Sequence, residues 1–416
     1  MDIAIVGGGP AGMMAAITAA RQGLSVAVFE KNRMLGRKLR ITGKGRCNIT
    51  NACDFDTLIE NIPGGGKFMY SSFRAFSNYD LIDFFEQNGL PTVTERGLRV
   101  FPRSQKAADV AECLKRLCKK YGVDVKYGYA VTDIILDAEG RAAGIDCEDS
   151  CFACGAVILA TGGISYPLTG STGDGYRWAE QFGHTVIPPR PSLVGLISRE
   201  KWIRELEGLS LRNIGFQLYH KDRQVYEDFG ELLFTGRGIS GPVVLSGSRH
   251  VLEYNYQNIR AVLDLKPALS MEKLDARLLR DFNALSRKQV SNALGGLVPR
   301  RMIPVLLVKW GVAPDTFVNQ MTKEQRRKLA SVLKAFSVEL EGSEGVDRAV
   351  VTAGGVALSE VNPKTMESKK VPGLYFAGEL LDVDGYTGGF NLTVAFSTGF
   401  TAGRNAGEAV RSHTGA

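Results

Sequence analysis

The chain has 416 residues, of which 44% are hydrophobic and 23% charged, so it is long enough for two or three globular domains. This composition excludes wholesale disorder, and no run of 18 apolar residues that could span a membrane occurs. The first strand-like run starts at Ile3, which leaves no room for a signal peptide. We therefore expect a cytoplasmic protein with no membrane partner.

The net charge of +7, from 51 basic and 44 acidic residues, is small for this length. The basic residues show no stripe outside one loop that follows residue 30, so no nucleic-acid partner is predicted. Among the seven cysteines, Cys147, Cys151 and Cys154 have a spacing found in iron–sulfur proteins, but a fourth ligand is not evident. We predict free thiols and no metal site.

The first thirty residues have the pattern of a strand, a glycine-rich turn, a helix and a second strand. A short apolar run leads into Gly7-Gly-Gly-Pro-Ala-Gly12, and the second apolar run ends at Glu30. Gly7 allows the tight turn, Gly9 lets the backbone approach a pyrophosphate, and Gly12 lets the helix pack closely. Because Glu30 can accept hydrogen bonds from ribose hydroxyls, the pattern predicts a dinucleotide site, without distinguishing NAD from FAD.

The rest of the chain contains two kinds of sequence pattern. A basic, glycine-rich stretch, Met34–Asn51, lacks a clear period and is predicted to be a functional loop. Mixed helical and strand-like patterns follow to Gly175, and the same mixed pattern is found again from Ala349. Between them, Pro188-Pro-Arg-Pro191 marks a change to short strand-like runs, with helical patterns over Met271–Trp310 and Lys323–Phe336. A second glycine-rich βα unit is not found, so a separate nicotinamide domain is not expected.

Four separated groups of motifs resemble the HI0933-like flavoproteins, also known as the YhiN or aminoacetone-oxidase family. These belong to the flavoproteins with two dinucleotide-binding domains. The motifs that carry the resemblance are Gly7–Gly12 with Glu30, Gly36–Asn51, Ala160–Gly163 with Ser165–Gly175, and Thr352–Val356 with Thr365–Lys369 and Phe376–Phe390. The resemblance runs along essentially the whole chain.

The resemblance implies an α/β fold with a discontinuous Rossmann-like FAD-binding domain and an inserted β-barrel domain that contains a small helical insert. Its expected boundaries are 1–190 and 346–416 for the FAD domain, 191–264 and 332–345 for the barrel, and 265–331 for the helices.

The resemblance also implies FAD as the cofactor. Glu379, at a strand end, is expected to contact the ribityl chain, and Val131 the adenine. A helix that begins near Asn391 would direct its N-terminus at the flavin. The complete set of expected cofactor contacts is Gly7, Gly9, Pro10, Ala11, Gly12, Glu30, Lys31, Arg37, Lys38, Gly45, Arg46, Cys47, Asn48, Val131, Ala160, Thr161, Gly162, Gly378, Glu379, Gly388, Gly389, Phe390, Asn391 and Leu392.

The expected activity is hydride transfer between flavin N5 and a small organic substrate, an aminoacetone-type amine or an enone, with O2 or NAD(P)H as electron partner. The catalytic residues are not identified; Tyr166, Tyr386 and Cys47 are the candidates on the substrate side. One alternative is an NAD(P)H-dependent flavin reductase that uses the same face of the flavin. A second alternative, from another class, is a flavin-containing RNA-binding protein.

Overall fold

The computed structural model describes residues 1–414 and divides the chain into two compact units, Met1–Ser192 with the residues from Val346 onward, and Leu193–Gly345. Its strands are β1 Ile3–Val6, β2 Val26–Glu30, β3 Thr50–Asn51, β4 Thr92–Glu95, β5 Arg99–Pro102, β6 Asp124–Tyr127, β7 Val131–Leu136, β8 Ala142–Cys147, β9 Ser150–Ala153, β10 Ala156–Leu159, β11 Val186–Ser192, β12 Leu196–Ile197, β13 Ser210–His220, β14 Arg223–Thr235, β15 Gly238–Ser240, β16 Ile259–Asp264, β17 Phe336–Leu340, β18 Gly342–Ser343, β19 Val351–Val356 and β20 Leu374–Phe376. Its helices are α1 Pro10–Ala20, α2 Arg37–Ile41, α3 Phe55–Glu60, α4 Gly66–Ala75, α5 Asn78–Gln87, α6 Ala107–Lys120, α7 Asp174–Gln181, α8 Pro242–His250, α9 Met271–Ala284, α10 Val290–Ala293, α11 Ile303–Trp310, α12 Lys323–Lys334 and α13 Phe390–Thr414.

The centre of the first unit is a parallel sheet with the strand order β20-β10-β1-β2-β6. Every residue of β1, β2, β10 and β20 is buried, as expected for parallel strands covered on both faces. Because the strands are parallel, Val6, Glu30, Leu159 and Phe376 all lie at the same edge of the sheet. This Rossmann-like arrangement confirms the predicted dinucleotide-binding architecture.

Close packing between α1 and α13 fixes the helix that follows the glycine-rich turn. A Cβ atom at Gly399 or Gly403 of α13 would collide with the backbone of Ala11 or Ala15 of α1. Glycine on one helix and alanine on the other therefore let the two backbones approach directly. The C-terminal helix thus holds the N-terminal βα turn in place.

Three smaller antiparallel sheets complete the first unit, in the orders β3-β5-β4, β7-β8-β9 and β11-β19. The β8–β9 hairpin carries Cys147 and Cys151, and Cys151 is exposed with its thiol 3.1 Å from Asp146 Oδ1. The loop predicted over 34–51 contains the short helix α2. The β4–β5 hairpin was not anticipated.

The second unit contains an antiparallel sheet of seven strands in the order β17-β16-β13-β14-β15-β12-β18. Within the described residues its end strands, β17 and β18, do not pair with each other, so the sheet is open and the expected closed barrel is not confirmed. Strand β18 has only two residues, too few to extend the ladder. Whether 265–331 forms a separate helical insert stays a prediction.

The helical pattern over 271–310 is interrupted in the structure. Helix α9 ends at Ala284, the short α10 follows, and α11 begins only at Ile303. Gly295 and Gly296 lie in the break, and glycine lowers helix stability by about 1 kcal/mol relative to alanine. The apolar pattern of the sequence therefore did not show where one helix ends and the next begins.

Candidate functional site

The turn between β1 and α1 contains glycines that are required for different reasons. Gly7 has φ +106°, and a Cβ atom there would lie 2.5 Å from the carbonyl oxygen of Ala160. A Cβ atom at Gly12 would overlap the carbonyl oxygen of Gly7, whereas one at Gly9 would meet no atom within 4 Å. The protein itself therefore leaves Gly9 uncovered, as a pyrophosphate at this position requires.

The N-terminus of helix α1 lies at this uncovered space, and no protein side chain within the described residues caps it. It begins at Pro10, has no side-chain cap and has no acidic residue in its first turn. The N–H groups of the first turn, those of Ala11 and Gly12 among them, have no acceptor within the helix. Free donors and the helix dipole together favour an anion such as a pyrophosphate.

Glu30 is a buried acid at the end of β2, and backbone and side-chain donors orient it. Its Oε2 accepts a hydrogen bond from the N–H of Gly8 at 2.9 Å. Its Oε1 accepts from the N–H of Asn32 at 2.8 Å and from Asn32 Nδ2 at 2.7 Å. A carboxylate has about four acceptor positions, so one remains for a ribose hydroxyl.

A second acid, Glu379, is held at the same edge of the sheet by residues from three segments. Glu379 Oε1 accepts from Ser165 Oγ at 2.8 Å and from the N–H of Thr352 at 2.8 Å. Lys38 Nζ lies 2.8 Å from Glu379 Oε2 and also donates to Ser165 Oγ. The structure thus brings the predicted residues Lys38 and Glu379 together and adds Ser165 and Thr352.

Two further cations that were expected at the cofactor have partners in the protein. Lys31 lies 2.6 Å from Asp174 Oδ2, and Arg37 donates to Asn32 Oδ1 at 2.6 Å. These contacts keep both side chains beside Glu30 and the loop before α7. Whether they also contact FAD stays a prediction.

Arg46 departs further from expectation, because its guanidinium group is directed at the β4–β5 hairpin. It pairs with Glu95, donates to Gln105 Oε1 at 2.6 Å and lies 4.2 Å from the ring centre of Phe101. An ion pair, a hydrogen bond and a cation–π contact together hold it there. In this conformation Arg46 joins the loop to the hairpin, and its expected contact with FAD stays a prediction.

Two buried polar atoms beside these segments have no hydrogen-bond partner within residues 1–414. They are Asn48 Oδ1, in the basic loop, and Thr161 Oγ1, just after β10. An unsatisfied buried polar atom costs about 1–3 kcal/mol, so both are suited to a ligand's donors or acceptors. A Cβ atom at Gly45 would meet no atom within 4 Å, and Gly162, with φ +76°, follows Thr161 directly. These residues fit a dinucleotide.

Gly378 brings Glu379 close to the start of α1. It has φ +75°, and a Cβ atom there would lie 2.9 Å from Cβ of Ala11. Its N–H donates to Thr398 Oγ1 of α13 at 2.9 Å. The strand end that carries the second acid is therefore packed directly against the first turn of α1.

The two glycines before α13 are explained by packing within the protein. Gly389 has φ +103°, and a Cβ atom there would lie 2.5 Å from the carbonyl group of Thr50. A Cβ atom at Gly388 would lie 2.9 Å from the ring of Phe390, which is buried. The expected reason, approach to a flavin ring, is not needed to account for these glycines. Their contact with flavin stays a prediction.

Asn391 holds the loop that precedes α13. Its Oδ1 accepts from the N–H of Gly385 at 2.8 Å, and its Nδ2 donates to the carbonyl oxygens of Gly385 and Tyr386 at 2.7 and 3.3 Å. Leu392 packs, half-buried, against the hydrophobic core. Val131 is the first residue of β7, opposite Cys147, and its expected contact with adenine is not tested.

The three substrate-side candidates differ in accessibility. Cys47 is fully buried with φ +59°, and burial raises the pKa of its thiol to about 12, so it is a poor nucleophile in this conformation. Its burial supports a packing role and not a substrate contact. Tyr166 has φ +51° and is half-buried, and Tyr386 packs against the core. Neither tyrosine is brought to a substrate by any observation, and both stay predictions.

The sequence reading missed three polar residues of this site. Ser165 and Thr352 lie within the quoted motifs but had no assigned role. Tyr176 Oη donates to the carbonyl oxygen of Glu379 at 3.3 Å, and burial raises the pKa of its phenol. Only the glycine-rich setting of Ser165 and Tyr176 could have marked them beforehand.

A glycine-rich βα turn on a parallel sheet, a buried acid at the end of β2 and unsatisfied polar atoms nearby define a dinucleotide-binding protein of the Rossmann type. The model of the family described as HI0933-like protein Rossmann domain matches residues 1–405, and the chain belongs to this family. It is an FAD-dependent oxidoreductase, with FAD as its cofactor.

Three relatives are similar along nearly their entire lengths. A 3-dehydro-bile acid delta(4,6)-reductase of Clostridium scindens is 34% identical over 98% of this chain and 99% of that protein. A ribosomal RNA dihydrouridine synthase of Haemophilus influenzae is 33% identical over 95% of this chain and 96% of that protein. A second ribosomal RNA dihydrouridine synthase, from Escherichia coli, is 31% identical over 97% of both chains.

Solved flavoenzymes share the fold. A 3-ketosteroid-delta4-(5alpha)-dehydrogenase of Rhodococcus jostii superposes with a TM-score of 0.55 at 16% identity, covering 98% of this chain and 96% of that one. A 3-ketosteroid delta1-dehydrogenase of Sterolibacterium denitrificans gives 0.55 at 14% identity, covering 98% and 99%. Within residues 1–414, no helix is long and apolar enough to cross a membrane.

Proposed function

We propose that this protein is an FAD-dependent reductase that saturates a carbon–carbon double bond conjugated to a carbonyl group. The observation that carries the proposal is the chemistry shared by relatives with different substrates. One is named for the delta(4,6) unsaturation of a 3-keto bile acid, and two are named for converting uridine of ribosomal RNA to dihydrouridine. In both cases the double bond that is reduced is conjugated to a carbonyl group.

The reaction adds a hydride to the carbon distal to the carbonyl and a proton to the carbon next to it. Bound FAD, in its reduced form, supplies the hydride from N5. The two electrons come from a reductant, for which we propose a reduced nicotinamide. Because the first unit contains one glycine-rich βα turn, we propose that the nicotinamide approaches transiently and has no domain of its own.

The chain's own residues act by holding the cofactor. Gly9 and the first turn of α1 would accept the pyrophosphate, and Glu30 a ribose. Lys38, Ser165 and Thr352 fix the carboxylate of Glu379 at the neighbouring strand end. A carboxylate fixed in this way can accept a hydroxyl of the cofactor without first having to be ordered.

The prediction of an enone substrate is thus kept, whereas an aminoacetone substrate is not confirmed, because none of the three relatives described above is named for it. The expected absence of a nucleic-acid partner is not confirmed, because two relatives are named for ribosomal RNA. A reductase acting on a small enone and one acting on uridine in RNA are the two forms that the proposal can take.

The test is anaerobic. The purified FAD-loaded protein is reduced with NADH or NADPH, and a steroid 4,6-dien-3-one, a uridine-containing RNA or aminoacetone is added under exclusion of air. We expect the dienone or the RNA to restore the absorbance of oxidised flavin, with a product that has gained two hydrogen atoms. Reduction of oxidised flavin by aminoacetone, with no reoxidation by either alkene, would refute the proposal.

A further inference from the structure

The β4–β5 hairpin and the start of α6 present a concentration of positive charge. Four exposed cations, Arg96, Arg99, Arg103 and Lys106, lie within eleven residues, and Lys44 is exposed in the adjacent loop. We call these five residues the basic hairpin surface. Within segment 91–106 the one acid is Glu95, and its carboxylate is already paired with Arg46.

The loop that carries Lys44 lies against this hairpin. A Cβ atom at Gly43 would lie 4.0 Å from the ring of Phe101, and the N–H of Ile49 donates to the carbonyl oxygen of Val100 at 2.8 Å. Arg46 and Arg99 both lie over the ring of Phe101, at 4.2 and 5.9 Å from its centre. The loop and the hairpin therefore form one surface.

Folding does not explain these charges. Within residues 1–414, no ion pair or side-chain hydrogen bond joins Lys44, Arg96, Arg103 or Lys106 to an acid. Lys106 is also the N-cap residue of α6, where a positive charge opposes the helix dipole and where serine or aspartate would stabilise the helix. Within the described residues, Asp109 in the first turn of α6 complements the helix dipole but forms no ion pair with these four cations, so they are available to an anion.

The tip of the hairpin is joined to the loop before α13 by one side chain. Asn51 Nδ2 donates to the carbonyl oxygen of Gly97 at 3.1 Å and to that of Gly388 at 3.3 Å. The N–H of Ala52 donates to the carbonyl oxygen of Leu98 at 2.7 Å. Gly388 belongs to the loop that the family resemblance assigns to the flavin ring. The basic hairpin surface therefore borders the loop for which a contact with the flavin ring is predicted, and we take this loop as the proposed redox site.

Apolar side chains accompany the cations. Leu98, at the hairpin tip, is 49% exposed and has φ +58°, and Ile41, in the adjacent loop, is 47% exposed. Cations that contact phosphates, with apolar groups beside them that contact unstacked bases, are the combination that single-stranded nucleic acid requires. A small steroid would need the apolar groups but not five separate cations.

We propose that the basic hairpin surface binds the phosphate backbone of a single-stranded segment of RNA, so that the bases of that strand pass beside the redox site. The proposal rests on the proposed function only in its choice of RNA, because uracil holds a double bond conjugated to a carbonyl. Single-stranded RNA also avoids the cost of extracting a base from a duplex.

The test measures binding of a fluorescein-labelled, uridine-containing single-stranded RNA of about 20 nucleotides by anisotropy, over a range of NaCl concentrations. The FAD-loaded wild type is compared with R96E/R103E and with the matched control K119E/K120E. Lys119 and Lys120 are equally exposed cations in the last turn of α6, about 20 Å along the helix from Lys106.

We expect the R96E/R103E variant to bind at least about tenfold more weakly at low salt. Its log–log salt slope should fall by about 1.4, because each phosphate contact of a single strand contributes about 0.7. The K119E/K120E variant should stay within about twofold of the wild type. No binding by the wild type, or equal weakening of both variants, would overturn the proposal. So would binding of phosphatidylglycerol vesicles that depends on Arg96 and Arg103 while RNA is not bound.

Reduction of a steroid 4,6-dien-3-one by the same proteins separates the two proposals. If R96E/R103E reduces the dienone like the wild type but no longer binds RNA, both stand. If RNA binds as expected and no conjugated double bond is reduced, the basic hairpin surface stands and the proposed function fails. If the dienone is reduced and RNA does not bind, the surface proposal fails alone.

Discussion

At the scale of single residues, Gly9 is the most specific element of the cofactor site. Its neighbours Gly7 and Gly12 are required by the polypeptide itself, since a Cβ atom at either would collide with backbone. Gly9 has open space around it, so the protein alone gives no reason for a glycine. The reason for Gly9 therefore lies in the ligand.

We predict that Gly9→Val abolishes FAD retention and leaves the cofactor-free protein folded. Its free energy of unfolding without FAD should change by no more than about 0.5 kcal/mol, the usual range for substitutions that touch nothing. The measurement is flavin content after purification, together with urea unfolding of the cofactor-free protein. Gly295→Val is the matched control, because a Cβ atom at Gly295 also meets no atom within 4 Å. A yellow Gly9→Val protein would contradict the placement of the pyrophosphate.

A cluster of charges beside α7 makes stability depend on pH. A hydrogen bond from Lys370, at 2.7 Å, is the main cause that lowers the pKa of Glu360 to about 2. Burial lowers the pKa of His184, which lies 3.4 Å from the same carboxylate. A carboxyl group whose pKa is lowered on folding stabilises the folded state at pH values above its unfolded pKa. This stabilisation is lost as the pH falls through the folded pKa.

We predict that Lys370→Met reduces the free energy of unfolding at pH 7 by about 0.5–1 kcal/mol, the worth of a partly exposed ion pair. The variant should also lose less stability than the wild type between about pH 4.5 and 2, because Glu360 then titrates nearer its unfolded value. The loss that begins below about pH 6.5, where unfolded His184 binds a proton, should be smaller in the variant, because the charge of Lys370 is one of the causes that lower the pKa of His184. Urea unfolding across this pH range is the measurement. Lys364→Met, at an exposed neighbouring position, should change neither window.

At the scale of secondary structure, the contact between α1 and α13 determines whether the cofactor site forms. We predict that Gly403→Leu costs about 1–3 kcal/mol of stability, because the added side chain must displace Ala15 of α1. Flavin content should fall too, since α1 carries the glycine-rich turn at its start. Glu408→Leu, on the exposed side of the same helix, should affect neither quantity. Full flavin content in a destabilised Gly403→Leu protein would show that the site tolerates movement of α1.

Asn391 couples the loop before α13 to the helix. We predict that Asn391→Leu weakens FAD retention, because it removes three hydrogen bonds that hold Gly385 and Tyr386. Asn391→Asp, which keeps the acceptor for the N–H of Gly385, should retain more FAD than Asn391→Leu. Equilibrium dialysis against free FAD measures the difference. Equal affinity in all three proteins would show that this loop does not contact the cofactor.

The sequence could predict those elements whose formation depends on residues close to each other in the chain. The first βαβ unit follows from glycine spacing and apolar runs. The β4–β5 hairpin was missed because its turn contains Leu98 in a positive-φ conformation. Leucine, unlike the glycine before it, does not indicate a turn in a sequence. Partners distant in sequence, such as Glu95 for Arg46 and Thr352 for Glu379, cannot be read from spacing at all.

At the scale of the whole molecule, cofactor and stability are linked. Because FAD binds the folded first unit and not the unfolded chain, it adds about 2.7 kcal/mol when its free concentration is a hundred times the dissociation constant. We therefore predict that the thermal midpoint of the cofactor-free protein rises continuously as FAD is added. Calorimetry at several FAD concentrations measures this rise. An unchanged midpoint would be incompatible with a folded dinucleotide site.

The parallel sheet of the first unit contains both β1 and β20, and helix α1 packs against helix α13. During biosynthesis the glycine-rich turn therefore leaves the ribosome long before the segments that secure it. The intervening second unit, 193–345, takes roughly 8–30 s to translate at 5–20 residues per second. For at least that time the alanine face of α1 has no α13 to cover it. We therefore expect the nascent N-terminal segment to need protection from aggregation, and FAD to bind only near the end of synthesis.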